Sequence, residues 1–194
     1  MFKDKIVLDI GCGTGILSFF AARAGAKHVY AVENAEIARY AAEIVKQNDF
    51  TDQITVIRGK VEEVELPLEE GQKVDIIISE WMGYCLLYEG MLETVVFARE
   101  KWLAEGGKIL PDKFDMIVAG VRDLNRMKQD KAAFWGNVYG IDMSCLGKNF
   151  YIEPNIDQVE ATNIVTDLCL FQSYDLNTAK AADLSFANDY RLQM

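Results

Sequence analysis

Two glutamates, Glu80 and Glu89, stand nine residues apart in the segment Ser79-Glu80-Trp81-Met82-Gly83-Tyr84-Cys85-Leu86-Leu87-Tyr88-Glu89. Between them Trp81, Met82, Tyr84 and Tyr88 supply apolar and aromatic surface. Carboxylates held against such surface are costly unless a cation meets them. Two of them converging in an aromatic-walled pocket make a receptor for a planar guanidinium, whose five donors form a fork. Either acid alone reads as a surface residue near a strand end; the pair in this loop does not.

A second constellation lies near the amino terminus. Val7-Leu8-Asp9-Ile10-Gly11-Cys12-Gly13-Thr14-Gly15 reads as a strand and then a glycine loop that opens a helix. Gly11, Gly13 and Gly15, with Thr14 among them, let the backbone approach a ligand closely, and the helix N-terminus offers free N–H groups. A dinucleotide loop wants glycine where this chain has Ile16. The pattern is instead GxGxG preceded by Asp9. An acid beside the loop suits a cationic group, such as the ammonium of S-adenosylmethionine, better than a pyrophosphate. Glu33 ends the next strand, eighteen residues past Gly15, where a carboxylate accepts from both ribose hydroxyls. That acid is common to nicotinamide and S-adenosylmethionine sites and does not separate them; Ile16 and the acidic loop disfavour the nicotinamide reading.

The elements that must carry these groups alternate. Strands are expected at Ile6–Ile10, Val29–Val32, Ile54–Ile57 and Val74–Ser79, the last too continuously apolar to be half-exposed. Helices are expected at Ile16–Ala24, capped by Gly25, at Ala35–Gln47 and at Tyr88–Trp102. Gly106-Gly107 is read as ending the third helix before a strand at Lys108–Leu110. Such repetition gives an α/β fold, a parallel sheet with helices on both faces and ligands beyond the carboxyl ends of its strands. Gly11–Gly15, Glu33, the Val61-Glu62 pair and Glu80 then share one rim. After Pro111 the pattern changes: Phe114–Val121 reads as a strand of another layer, Leu124–Tyr139 as helical, and Ile164–Phe171 as β-like. The expected division is 1–111 and 112–194.

Composition narrows the function classes. A net charge of −10 disfavours direct nucleic-acid binding and favours basic partners, including Arg-rich tails. The four cysteines form no CxxC pair, so no metal site is expected, and reduced thiols fit the cytosol or nucleus. No apolar run is long enough to span a bilayer and no signal peptide precedes the first strand, so no membrane partner is expected.

The acidic loop resembles the double-E hairpin of protein arginine methyltransferases, through the specific opening Ser79-Glu80-Trp81-Met82-Gly83, and the resemblance runs through nearly the whole chain. It implies a Rossmann-like class I methyltransferase domain followed by part of a β-barrel domain with an inserted helical dimerisation arm. It implies that Glu80 and Glu89 are catalytic. Asp9, Gly11, Gly13, Thr14, Gly15, Glu33, Val61 and Glu62 would bind S-adenosylmethionine, giving S-adenosylhomocysteine. Trp81, Met82, Tyr84 and Met91 would shape the acceptor pocket. Met91 matches the subgroup that makes asymmetric dimethylarginine. The stretch Asn137–Cys145 resembles the dimerisation arm, placed at about 124–147, with Phe134, Trp135, Tyr139 and Met143 burying an apolar face on a second copy. Expected substrates are basic proteins, Gly/Arg-rich or histone tails, in the cytoplasm or nucleus.

Family members carry helices upstream of the first strand, and a Thr-His-Trp loop further on. Neither is present between Met1 and Met194, so the chain is expected to be truncated at both ends. The alternative is a catalytically inactive cofactor-binding and dimerisation module of the same family.

Overall fold

In a computed structural model the described residues are 1–122, 133–147, 156 and 158–194. Five strands, β1 (Ile6–Ile10), β2 (His28–Glu33), β3 (Ile54–Arg58), β4 (Val74–Ser79) and β5 (Leu103–Leu110), form one sheet in the order β3-β2-β1-β4-β5. Every neighbouring pair is parallel. β1, with the sequence IVLDI, is buried at every position, as a strand covered on both faces must be.

Alternation along the strands builds two cores. Leu8, Ile10, Tyr30, Val32 and Ile77 pack with Leu92, Val95 and Val96 of α3 (Met91–Trp102). Val7, Val29, Ala31, Ile76 and Ile78 pack with Phe19, Ala21 and Ala22 of α1 (Ile16–Arg23) and with Ala41 and Val45 of α2 (Ile37–Gln47). Helices therefore cover both faces. The chain builds outward from β1 through β2 to β3, then turns the other way through β4 to β5. The crevice for a ligand falls where the order reverses, at the carboxyl ends of β1 and β4.

Three boundaries differ from expectation, each for a local reason. α2 begins at Ile37 rather than Ala35, because the Glu33 carboxylate accepts the Ala35 N–H at 2.8 Å. α3 begins at Met91 rather than Tyr88, since Gly90 adopts φ 71° and the Tyr88 N–H is taken by the Tyr84 carbonyl at 3.1 Å. The glycine pair does not end a helix. β5 runs through it with a register shift against Val74–Ile76. A Cβ at Gly107 would stand 2.6 Å from Leu103 Cδ1, so only glycine fits this irregular strand.

By compactness the chain forms two units, each built from two stretches of sequence. The first is Met1–Met116 with Ser173–Ala187; the second is Ile117–Gln172 with Asn188–Met194. β6 (Lys113–Val118) and β7 (Cys169–Asp175) pair as a two-stranded sheet. In the second unit Val121 bridges Ile164, and α4 spans Ser144–Gly147. Residues 124–132 of the expected arm helix lie outside the described residues. Ala133 and Phe134 are helical, but the helix does not reach Tyr139: Val138 and Ile141 exchange backbone hydrogen bonds of 2.9 and 3.1 Å across Tyr139 (φ 53°) and Gly140 (φ 86°), a tight hairpin.

Candidate active site

A cavity of about 470 Å³ opens at the carboxyl ends of the strands. Ile10 and Gly11 reach it from β1, Glu33 from β2, Gly59 to Glu62 from the loop after β3, and Glu80 from the end of β4. Glu89, Met91 and Thr94 close it from the acidic loop and α3. The volume lies within the usual range for small-molecule sites.

The wall near β2 is fixed by backbone groups. Glu33 Oε2 accepts the Gly13 N–H at 3.0 Å while Oε1 accepts that of Ala35 at 2.8 Å. The carboxylate thus spans from the glycine loop to the start of α2, and lone pairs remain for a ligand. Gly11 takes φ 68°, and a Cβ on it would stand 3.0 Å from Met91 Cε, so glycine serves both the turn and the close approach. Across the cavity, Thr94 Oγ1 donates to Glu62 Oε1 at 2.6 Å.

Asp9, Gly13, Thr14 and Gly15 are not among the described lining residues. Asp9 is fully buried, with Oδ2 accepting the Ser18 hydroxyl at 2.6 Å and Oδ1 without a partner. Burial pushes its pKa up to about 6, against the lowering effect of the Ser18 bond. Gly15, at φ 91°, occupies the N-cap of α1.

The acidic loop is a short hairpin. Gly83 donates to the Leu86 carbonyl at 3.1 Å, with Cys85 at φ 49° and Leu86 at φ 67°. Two non-glycine residues in the left-handed region are costly, and core anchors hold them there. Trp81 is buried with its ring edge-on to Phe114 at 4.5 Å, and Met82, Leu86 and Leu87 pack against the same core. Glu80 and Glu89 therefore reach one cavity. Trp81, Met82 and Tyr84, expected on the pocket wall, do not line it: burial of the indole against Phe114 takes Trp81 into the core, and Tyr84 is 64% exposed. Met91 does line it.

Thr94, Lys60, Gly59 and Asn34 line the cavity without having been singled out in the sequence. Thr94 was within reach, since it lies three residues past Met91 and so on the same helix face. In the second unit Phe134 and Trp135 meet edge-to-face at 5.3 Å. Tyr139 is fully exposed, Phe134 exposed, and the Met143 N–H is held by the Trp135 carbonyl at 2.8 Å.

Comparison with known proteins agrees with this geometry. The profile described as "Ribosomal protein L11 methyltransferase (PrmA)" matches residues 1–124, and that described as "Arginine methyltransferase oligomerization subdomain" matches residues 112–194. Protein arginine N-methyltransferase 1 of Oryza sativa subsp. indica is 54% identical over 192 residues, 99% of this chain and 49% of the relative. Protein arginine N-methyltransferase 1 of Chlamydomonas reinhardtii is 54% identical over 194 residues, 100% of this chain and 55% of the relative. Among solved structures, the Trypanosoma brucei PRMT1 enzyme-prozyme heterotetrameric complex with AdoHcy aligns with a TM-score of 0.83 at 53% identity, covering 95% of this chain and 57% of that one. The chain spans about half the length of the curated relatives it matches. Through the five-stranded parallel sheet, the paired acids at its rim and these likenesses, the chain belongs to the protein arginine N-methyltransferase family.

Proposed function

We propose that this chain forms the cofactor- and arginine-binding core of an S-adenosylmethionine-dependent protein arginine methyltransferase. The observation that carries the reading is the convergence of Glu33, Glu62, Glu80 and Glu89 on one cavity at the strand ends. The donor set fits the cofactor. Glu33, already oriented by two backbone N–H groups, accepts from the ribose hydroxyls. Glu62, steadied by Thr94 and beside Val61, accepts from the adenine amino group. Gly11 keeps room beside Met91.

When bound, S-adenosylmethionine supplies an electrophilic methyl group on its sulfonium and departs as S-adenosylhomocysteine. Arginine is fully protonated in water and its nitrogens are poor nucleophiles. Glu80 and Glu89 grip different edges of the guanidinium and draw its charge toward the held nitrogens, leaving the third more nucleophilic. Alignment contributes much of the rate, since well-oriented reactants gain about 7–11 kcal/mol. Each transfer releases one proton, for which the two carboxylates are the bases at hand. The products are mono- and asymmetric dimethylarginine in basic, Gly/Arg-rich or histone-tail substrates, a class favoured by the charge of −10. Pairing of two copies through the arm is supported by the match to an oligomerization subdomain and by the exposed Phe134 and Tyr139.

Calorimetric titration of this chain with S-adenosylhomocysteine, beside a Glu33→Ala variant, tests the cofactor half of the reading. Saturable binding lost in the variant is expected. Binding that survives Glu33→Ala unchanged overturns it.

A further inference from the structure

Leu86 and Leu87 follow one another in the acidic hairpin, and both pack against the same core of the first unit. Extended backbone does not allow this, because successive side chains along it point to opposite faces. A turn at Leu86 resolves the conflict. The Leu87 N–H donates to the Cys85 carbonyl at 2.8 Å, closing a γ-turn around Leu86 at φ 67°. A γ-turn of positive φ is the rare and strained form, and glycine is the residue that adopts such a φ freely. Here the position holds leucine, and Cys85 before it adds a second positive φ, 49°. Strain of this kind persists only where the surroundings fix it. Leu86 is fixed twice: its side chain is packed on the core, and its carbonyl accepts the Gly83 N–H at 3.1 Å.

What the strained turn delivers is direction. Past Leu87 the chain keeps bending, as the Tyr88 N–H reaches the Tyr84 carbonyl and the Gly90 N–H reaches the Leu87 carbonyl, each at 3.1 Å. Glu89 lies within that bend, close beside Gly83, and so lines the same cavity as Glu80. With Leu86 at negative φ the γ-turn bond is lost and the segment from Leu87 to Glu89 leaves Gly83. The rest of the cavity has no use for the strain, since Glu33 and Glu62 come from β2 and from the loop after β3.

We infer that Leu86 is a positioning residue for methyl transfer, whose strained turn, held by the core, sets where Glu89 stands relative to Glu80. The clamp is thereby set before a guanidinium arrives, as preorganised electrostatic stabilisation requires. The inference rests on the clamp reading given above and deepens it by naming what fixes the second carboxylate.

The test separates branching at Cβ from side-chain volume. Leu86→Ile and Leu86→Met both keep an apolar side chain of similar size, a kind of exchange that cores tolerate. A branched Cβ makes positive φ a true outlier, and methionine carries no such branch. Methyl transfer from S-adenosylmethionine to a Gly/Arg-rich peptide, and the dissociation constant for S-adenosylhomocysteine, are measured on both variants and on the parent 194-residue chain. Leu86→Ile is expected to lower kcat by on the order of 10²-fold, the effect of misplacing a reacting group by about 1 Å, while S-adenosylhomocysteine binds as it does to the parent. Leu86→Met is expected to keep most of the rate. Equal rates in the two variants overturn the positioning role and leave the clamp standing. Loss of S-adenosylhomocysteine binding in Leu86→Ile also overturns it, by making Leu86 a residue of the core alone. Absence of transfer by a parent chain that binds S-adenosylhomocysteine overturns the clamp itself, and this inference with it.

Discussion

Gly83 and Glu89 are packed so closely that a Cβ on Gly83 would stand 2.7 Å from Glu89 Cγ and 2.9 Å from its backbone nitrogen. The missing side chain is what lets the second glutamate fold back beside the first strand of the hairpin. The φ of Gly83 is not in the left-handed region, so alanine there strains contacts and not its own backbone.

Gly83→Ala therefore displaces Glu89 and little else. Misplacement of a reacting group by about 1 Å costs on the order of 10²-fold in rate. Methyl transfer to a Gly/Arg-rich peptide is expected to fall by roughly that factor, with the dissociation constant for S-adenosylhomocysteine unchanged. Parallel kinetics and calorimetry check the split.

Asp9 makes stability depend on pH in a direction unusual for a carboxylate. Its folded pKa is raised from 3.8 to about 6, chiefly by burial, so between those values the folded chain binds more protons than the unfolded one. This contribution is fully present below pH 3.8 and is lost as pH rises through about 6. Asp9→Asn removes the loss while an amide oxygen still accepts from Ser18. Relative to the parent, the variant is expected to be more stable by on the order of 2–3 kcal/mol above pH 6 and to gain nothing near pH 4. Urea unfolding of both chains at several pH values measures the difference.

Thr94 ties α3 to the wall that carries Glu62, through the 2.6 Å bond to Oε1. Thr94→Val keeps the shape and removes the donor. A hydrogen bond to a charged acceptor contributes about 1.5–3 kcal/mol; at this exposed pair the lower end applies, so S-adenosylhomocysteine is expected to bind about 10-fold more weakly. Calorimetry is the check, and Thr94→Ser should recover most of the loss.

Arg99 lies on the outer stretch of α3, where Nη1 donates to the carbonyls of Leu176 and Ala179 at 2.7 and 2.8 Å. Its side chain is only 14% exposed. Arg99→Ala leaves both carbonyls without this donor and should cost about 2–4 kcal/mol in a denaturation curve.

The sequence was most legible where a run of residues had one physical use. Ile6–Ile10 is buried throughout and Val74–Ser79 at every position but Asp75, and their largely apolar character marks them as central strands. Glu33, Glu80 and Glu89 were readable because a glycine loop, a strand end and an aromatic hairpin each give a carboxylate a reason to be there. Legibility failed where tertiary packing chose among local options. Trp81 was read as part of a pocket wall, and its burial edge-on to Phe114, distant in sequence, could not be read from the local segment. Gly106-Gly107 carries the composition of a break, yet crowding by Leu103 makes it part of an irregular strand. The hairpin at Tyr139-Gly140 was hidden because tyrosine at positive φ is rare; Gly140 alone carried the signal. Thr94 was missed because its role depends on Glu62, thirty-two residues away.

The central claim is that Glu80 and Glu89 clamp a guanidinium for methyl transfer. Its most direct test is transfer of labelled methyl groups from S-adenosylmethionine to a Gly/Arg-rich peptide by the parent chain and by Glu89→Gln, with S-adenosylhomocysteine binding measured on both. The account predicts transfer by the parent, loss of transfer in Glu89→Gln, and equal cofactor binding in the two proteins. Normal turnover by Glu89→Gln would contradict it.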